Sequence, residues 1–103
     1  MFGMPDVRSA PTIDDIRAMR SQILRLAAAR GVSNIRVYGS VARGTANSES
    51  DIDLIVDVEP ECSLIDLAGF QLDMEELLGH SVDVTTRVDS IIRRRVEEQS
   101  VLL

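Results

Sequence analysis

Gly39-Ser40 and, after ten intervening residues, Asp51-Ile52-Asp53 are the residues of this 103-residue chain whose types and spacing could do chemistry. A small-residue turn after a short apolar strand lets an anionic group approach the backbone without a Cβ in the way. Two carboxylates at alternate strand positions share one face, with Cα atoms roughly 6.5–7 Å apart. Held that close, they repel and perturb one another's ionisation. A hard divalent cation such as Mg²⁺ relieves the repulsion, and it favours carboxylates together with substrate phosphates. Turn and carboxylates together describe a site for a metal-bound nucleoside triphosphate.

The elements around these residues must position them. Ile35-Arg36-Val37-Tyr38 reads as a strand ending at Gly39. Ser40 offers a backbone N–H and a hydroxyl, and a helical turn over Ser40–Arg43 would add unpaired N–H groups that favour an anion. Thr45–Ser50 is a polar connector of turn-forming types. In the next strand, Asp51–Val56, Ile52, Leu54 and Val56 line the face opposite Asp51 and Asp53 and go to the core. Ser81–Thr86 is strand-like too, with Val82 and Val84 inward and Asp83 opposite. If it pairs beside Asp51–Val56, Asp83 joins the first two carboxylates; otherwise it is a solvated sheet-face residue. Three carboxylates around one or two metals suit in-line displacement at phosphorus.

Tyr38-Gly39-Ser40-Val41-Ala42-Arg43-Gly44 followed by Ser50-Asp51-Ile52-Asp53-Leu54-Ile55-Val56 resembles the minimal nucleotidyltransferases of the polymerase-beta-like superfamily. Within it, the chain is similar to the MNT antitoxins of HEPN–MNT toxin–antitoxin pairs. The resemblance runs over nearly the whole chain and implies that fold: α/β (α+β), a small mixed sheet with helices mainly on one face and an open acidic groove on the other. It implies that Gly39 and Ser40 contact the triphosphate, with Arg43 steadying the loop or the phosphates. Asp51 and Asp53 would ligate one or two Mg²⁺ ions. Asp83 would act on the acceptor hydroxyl or serve as a further ligand. The implied reaction is transfer of AMP from ATP to a tyrosine of the HEPN toxin, silencing its RNase activity. Alternatives with the same signature are an antitoxin acting by contact alone, an aminoglycoside-type small-molecule transferase, and a nucleotide-binding regulator without transfer. The chain has no room for the acceptor-binding domain of larger relatives, which favours a protein acceptor that brings its own surface.

Composition agrees with one small domain: 45% hydrophobic and 27% charged residues are ordinary globular material. A net charge of −6 argues against salt-driven nucleic-acid binding, which needs basic residues to displace counterions. There is no lysine, so phosphate contacts must come from arginine, hydroxyls, backbone N–H groups or metal, and Schiff-base chemistry is excluded. Cys62 is the single cysteine and forms no internal disulfide; a reduced thiol at the mouth of a helix is expected. No signal-peptide core and no membrane-length apolar run are present, which points to the cytoplasm. The chain could form homo- or hetero-oligomers.

The expected element order is helix, strand, strand, helix, strand, helix. Residues 1–10 read as a loose arm, with 11–103 as the transferase domain. Thr12 caps a first helix, with Asp15 at the capping-box position, and an Ile16, Met19, Ile23, Leu26, Ala27 stripe runs to a stop at Gly31. A second helix starts at Ser63 with Asp66 three residues on, buries Leu67, Phe70, Met74, Leu77 and Leu78, and ends at Gly79. Asp89 to about Gln99 is expected to be a third helix.

Several residues have plainer readings. His80 follows a helix-ending glycine and caps carbonyls or meets solvent. Arg93-Arg94-Arg95 fan around a helix beside Glu97 and Glu98, giving a solvated face or a contact to an acidic partner. Asp57, Glu59 and Glu61 read as a solvated acidic loop. Val101-Leu102-Leu103 is either a final packed turn or an apolar end covered by a partner.

Overall fold

The computed structural model describes residues 10–86 and 100–103. The expected arm (but for Ala10), the third helix and the Arg93–Arg95 run lie outside the described residues. The described elements are α1 (Ile13–Ala18), α2 (Arg20–Ala29), β1 (Val32–Tyr38), α3 (Gly39–Arg43), β2 (Ile52–Val58), α4 (Leu64–Leu78), β3 (Val82–Thr86) and β4 (Val101–Leu102).

The strands form one mixed sheet in the order β3-β2-β1-β4. β1 runs antiparallel to β2 and to β4, whereas β2 and β3 are parallel. α4 supplies the crossover that parallel neighbours require. Ile16, Ile23 and Ala27 of the first two helices join Ile35, Val37, Leu54, Val56, Phe70 and Met74 in a single buried cluster. This is the fold class implied by the sequence.

The first helix is two helices. Met19 breaks it, its N–H closing on Ile16 O at 3.0 Å, a tightened turn. Neither glycine nor proline marks the break. Because Ile16, Ile23 and Ala27 stay in the core on both sides of it, the apolar periodicity hides it. The expected caps are present. Thr12 Oγ1 accepts from the Asp15 N–H at 3.1 Å, and Ser63 and Asp66 form a reciprocal capping box at the start of α4.

β1 begins three residues before the expected Ile35. Its register to β2 shifts between Ser33 and Arg36, with Asn34 at φ 49°. The extra residue is a β-bulge that reverses the inward–outward alternation. Val32, Ile35 and Val37 are therefore all buried although their spacing is not period-two throughout. β2 starts at Ile52 rather than Asp51 and continues to Val58.

The C-terminal residues are a strand, not a packed turn or a free apolar end. Val101 pairs with Val37 and Leu102 with Arg36. The Leu103 N–H donates to Ile35 O at 2.8 Å, and Arg20 Nε donates to Leu103 O at 3.0 Å. β1 thereby gains a second neighbour and becomes an interior strand, which fixes Gly39 at the end of a supported element.

Candidate active site

β1 delivers Tyr38 to the sheet edge, where the chain turns through Gly39 into α3. Gly39 sits at φ 77°, a left-handed conformation that only glycine adopts without strain. A Cβ there would also overlap Asp53 Oδ2. Two independent constraints therefore demand glycine at the motif position. Ser40 and Val41 are among the first residues of α3, whose N–H groups have no intrahelical acceptor. Gly44 caps the far end with its N–H on Val41 O at 3.2 Å.

The polar connector is a folded turn. Asn47 Oδ1 accepts from the Glu49 N–H at 2.8 Å, and Ser50 Oγ accepts from the Asn47 N–H at 2.8 Å. The chain then reaches Asp51, and the Ile52 N–H binds Ser81 O at 2.9 Å, locking β2 beside β3. At the other end of the crossover, Glu75 Oε2 accepts the Val82 N–H at 3.1 Å, fixing where β3 starts one residue before Asp83. Sequence reading missed Glu75 because its partner lies seven residues on, outside the helical spacing.

The register decides the site. Tyr38 is paired with Asp53, and Asp53 with Asp83. Paired residues project to the same face of a sheet, and neighbouring strands lie about 4.8 Å apart. Asp53 and Asp83 are thus side by side, and Asp51, just ahead of β2, is near enough for its charge to act on Asp53. Asp53 is half-buried, while Asp51 and Asp83 are exposed. Burial first, then the charges of Asp83 and Asp51, push the Asp53 carboxyl above its ordinary value, and Arg43 opposes them. The Asp53 carboxyl therefore feels the charges of three other side chains the sequence picked out, Asp83, Asp51 and Arg43. All expected site residues lie at one edge of the sheet, at the end of β1 and the starts of β2 and β3.

This face is not an acidic groove along its whole length. Ile55, on the same side of β2 as Asp53, is only 8% exposed and separates the aspartates beside Gly39 from Asp57 farther along the strand. A cavity of about 320 Å³ opens on the other, helical side, lined by Ile16, Met19, Ile52, Leu78 and His80 among others. It is mostly apolar, with Asp15 its one carboxylate, and Asp51, Asp53 and Asp83 are not part of its lining.

Among the described residues, no three His, Cys, Asp or Glu side chains already converge as a metal-ligand set. The donors nevertheless fit magnesium by type. They are hard carboxylate oxygens, and burial, then the charges of its two neighbours, raises the proton affinity of the central one. Mg²⁺ is held by one or two carboxylates with phosphate and water completing its shell, so a closed protein cage is not what such a site requires.

Cys62 is a free thiol just ahead of the α4 cap, half-buried and away from the carboxylates. Burial pushes its pKa up, with Asp66 adding to it, so it is not an activated nucleophile. Asp57 lies in β2 rather than a loop and accepts from Asn34 Nδ2 at 2.8 Å.

Comparison with known proteins agrees with this geometry. The family model of the nucleotidyltransferase domain matches residues 17–102. A candidate protein adenylyltransferase of Methanocaldococcus jannaschii is 30% identical over 89 residues, covering 84% of this chain and 96% of its own. The solved structure of a candidate minimal nucleotidyltransferase is 37% identical, with a TM-score of 0.79 over 89% of this chain and 96% of that one. A toxin–antitoxin crystal structure with AMP-PNP shares the fold, with a TM-score of 0.66 at 21% identity over 80% of this chain and 69% of that one. With its glycine–serine turn and neighbouring aspartates in place, this chain is a nucleotidyltransferase, a member of the nucleotidyltransferase domain family.

Proposed function

We propose that the chain is a magnesium-dependent protein adenylyltransferase that moves AMP from ATP to a tyrosine hydroxyl of a HEPN-type toxin and so acts as its antitoxin. The observation that carries the reading is the paired Asp53 and Asp83 beside Asp51, with Gly39 making room for the Asp53 carboxylate. Support for a protein acceptor and a toxin partner comes from the relatives: one is named for protein adenylylation, and another is solved as a toxin–antitoxin with an ATP analogue. Residues 11–103 would form the transferase unit. A cytoplasmic location fits, since no described helix is long and apolar enough to cross a membrane.

The chain's own residues divide the work. Gly39 and Ser40 give the triphosphate close access to backbone N–H groups, and Arg43 adds positive charge on the same loop. Asp51 and Asp53 would hold the cation, with Asp83 within reach of the same group. When bound, the cation supplies charge neutralisation of the triphosphate and stabilises the leaving pyrophosphate. Asp83, exposed at the edge strand, accepts the proton of the acceptor hydroxyl as its oxygen bonds to the α-phosphorus. The bond from that phosphorus to the bridging oxygen breaks, and pyrophosphate departs.

The test mixes the protein with a HEPN-type toxin, ATP and Mg²⁺, and weighs the intact partner. Gain of an AMP unit on a partner tyrosine, absent with Asp53→Ala, is the expected result. Unchanged partner mass, with toxin still inhibited by Asp53→Ala, would show neutralisation by contact instead.

A further inference from the structure

α4 carries apolar residues on both of its sides. Phe70 and Met74 are fully buried against the sheet. Leu64, Ile65 and Leu72 are 84%, 81% and 66% exposed, and Ala68 between them is exposed as well. At about 100° per residue these four fall within an arc of about 100° on the helix, pointing away from the core. A helix apolar on both sides belongs to an interior, and here only one side has found its cover. The capping box and Gly79 fix the helix at both ends, so this face is held rigidly in place.

Charge says what covers it. All 11 basic residues of the chain lie outside 44–86, while most of its 17 acidic residues lie within that stretch. α4 itself has Asp66, Asp73, Glu75 and Glu76 and no basic residue; Arg30 of the preceding segment pairs with Asp73, which leaves the acidic residues of the helix in excess. A second copy docked through its own α4 face would bring acid against acid, which is unfavourable at short range. A basic surface with an apolar stripe would match both properties.

We infer that the outward face of α4 (Leu64, Ile65, Ala68, Leu72) is a docking surface for a basic amphipathic helix of a different chain. It lies across the sheet from the aspartate row, so a partner seated there leaves the nucleotide edge free. The apolar stripe supplies contact area, and the surrounding carboxylates set the register and steer the encounter.

The test uses the full chain, isotope-labelled, titrated with a synthetic helical peptide of leucine and lysine that carries all its leucines on one face. Shifts should centre on Leu64, Ile65 and Leu72. Ile65→Asn combined with Leu72→Asn should weaken binding about tenfold or more while the melting temperature is kept. A peptide of equal composition with leucines spread around the helix should bind far less. Asp53→Asn should bind the peptide normally even though it stops transfer, which separates this surface from the proposed reaction. Shifts confined to the aspartate row, equal binding of the two peptides, or binding unaffected by the double substitution would overturn the inference. So would concentration-dependent self-association of the free chain that the double substitution abolishes, because a second copy would then be the occupant.

Discussion

Gly39 is packed so closely on Asp53 that a single added carbon would collide with the carboxylate oxygen Oδ2. The glycine turn and the central aspartate thus form one unit, each shaping the space left to the other. Gly39→Ala should cost about 1–2 kcal/mol from its left-handed backbone alone and should also displace Asp53. Gly44 has a similar φ of 76° but open space where its Cβ would go, so Gly44→Ala should show comparable destabilisation and normal nucleotide binding. Urea denaturation and ATP–Mg²⁺ titration of the two variants separate strain from site damage. Equal nucleotide affinity in both would remove the steric argument.

Asp53 sets a pH dependence whose sign can be worked out. Its folded-state pKa is raised above the ordinary 3.8, so the folded chain keeps a proton that the unfolded chain has released. Stability contributed by this group therefore falls as pH rises from about 3.8 through the raised folded value, and the loss is complete above it. Asp53→Asn should melt higher than the parent at neutral pH, with the gap closing toward pH 3.8. Transfer activity should vanish in the same variant, an exchange of function for stability. Calorimetry across pH checks it, and a gap that widens in acid would contradict the assignment.

Asp51 and Asp83 should fail in different ways. Asp83→Asn should lower the transfer rate by about 10²–10⁴-fold, the usual worth of a proton acceptor, with ATP–Mg²⁺ binding kept. Asp51→Asn should weaken the magnesium-dependent part of ATP binding. If Asp83→Asn transfers at the parent rate, its carboxylate is only a solvated sheet-face group.

Arg30 and Gly69 offer a test of packing rather than chemistry. Arg30 Nε is bonded to Asp73 Oδ2 at 2.7 Å, and its guanidinium lies over Gly69, where a Cβ would meet Nη1. Both partners are partly exposed, so the pair is worth about 0.2–1 kcal/mol. Alanine in place of a helical glycine is worth about 1 kcal/mol in the opposite direction. Gly69→Ala should therefore change stability little on its own and should stabilise by about 1 kcal/mol once Asp73→Ala has released Arg30. A double-mutant cycle in urea measures the coupling, and purely additive effects would deny it.

The sequence by itself settled the glycine turn at the end of β1, the caps at Thr12 and Ser63, and the buried stripes of the helices. Each follows from spacing along one element, where a period of two or 3.6 says which side chains point together. It also implied the family and the α/β class. Tertiary structure decided what spacing along the chain leaves open: that β3 lies beside β2 with Asp83 level with Asp53, and that Val101–Leu102 closes the sheet as β4. The bulge at Asn34 reversed the pleat and hid the first half of β1, and the break at Met19 left the apolar phase intact. Strand neighbours and their register arise from contacts between residues far apart in sequence, where packing and hydrogen bonding choose among pairings that the local pattern permits equally.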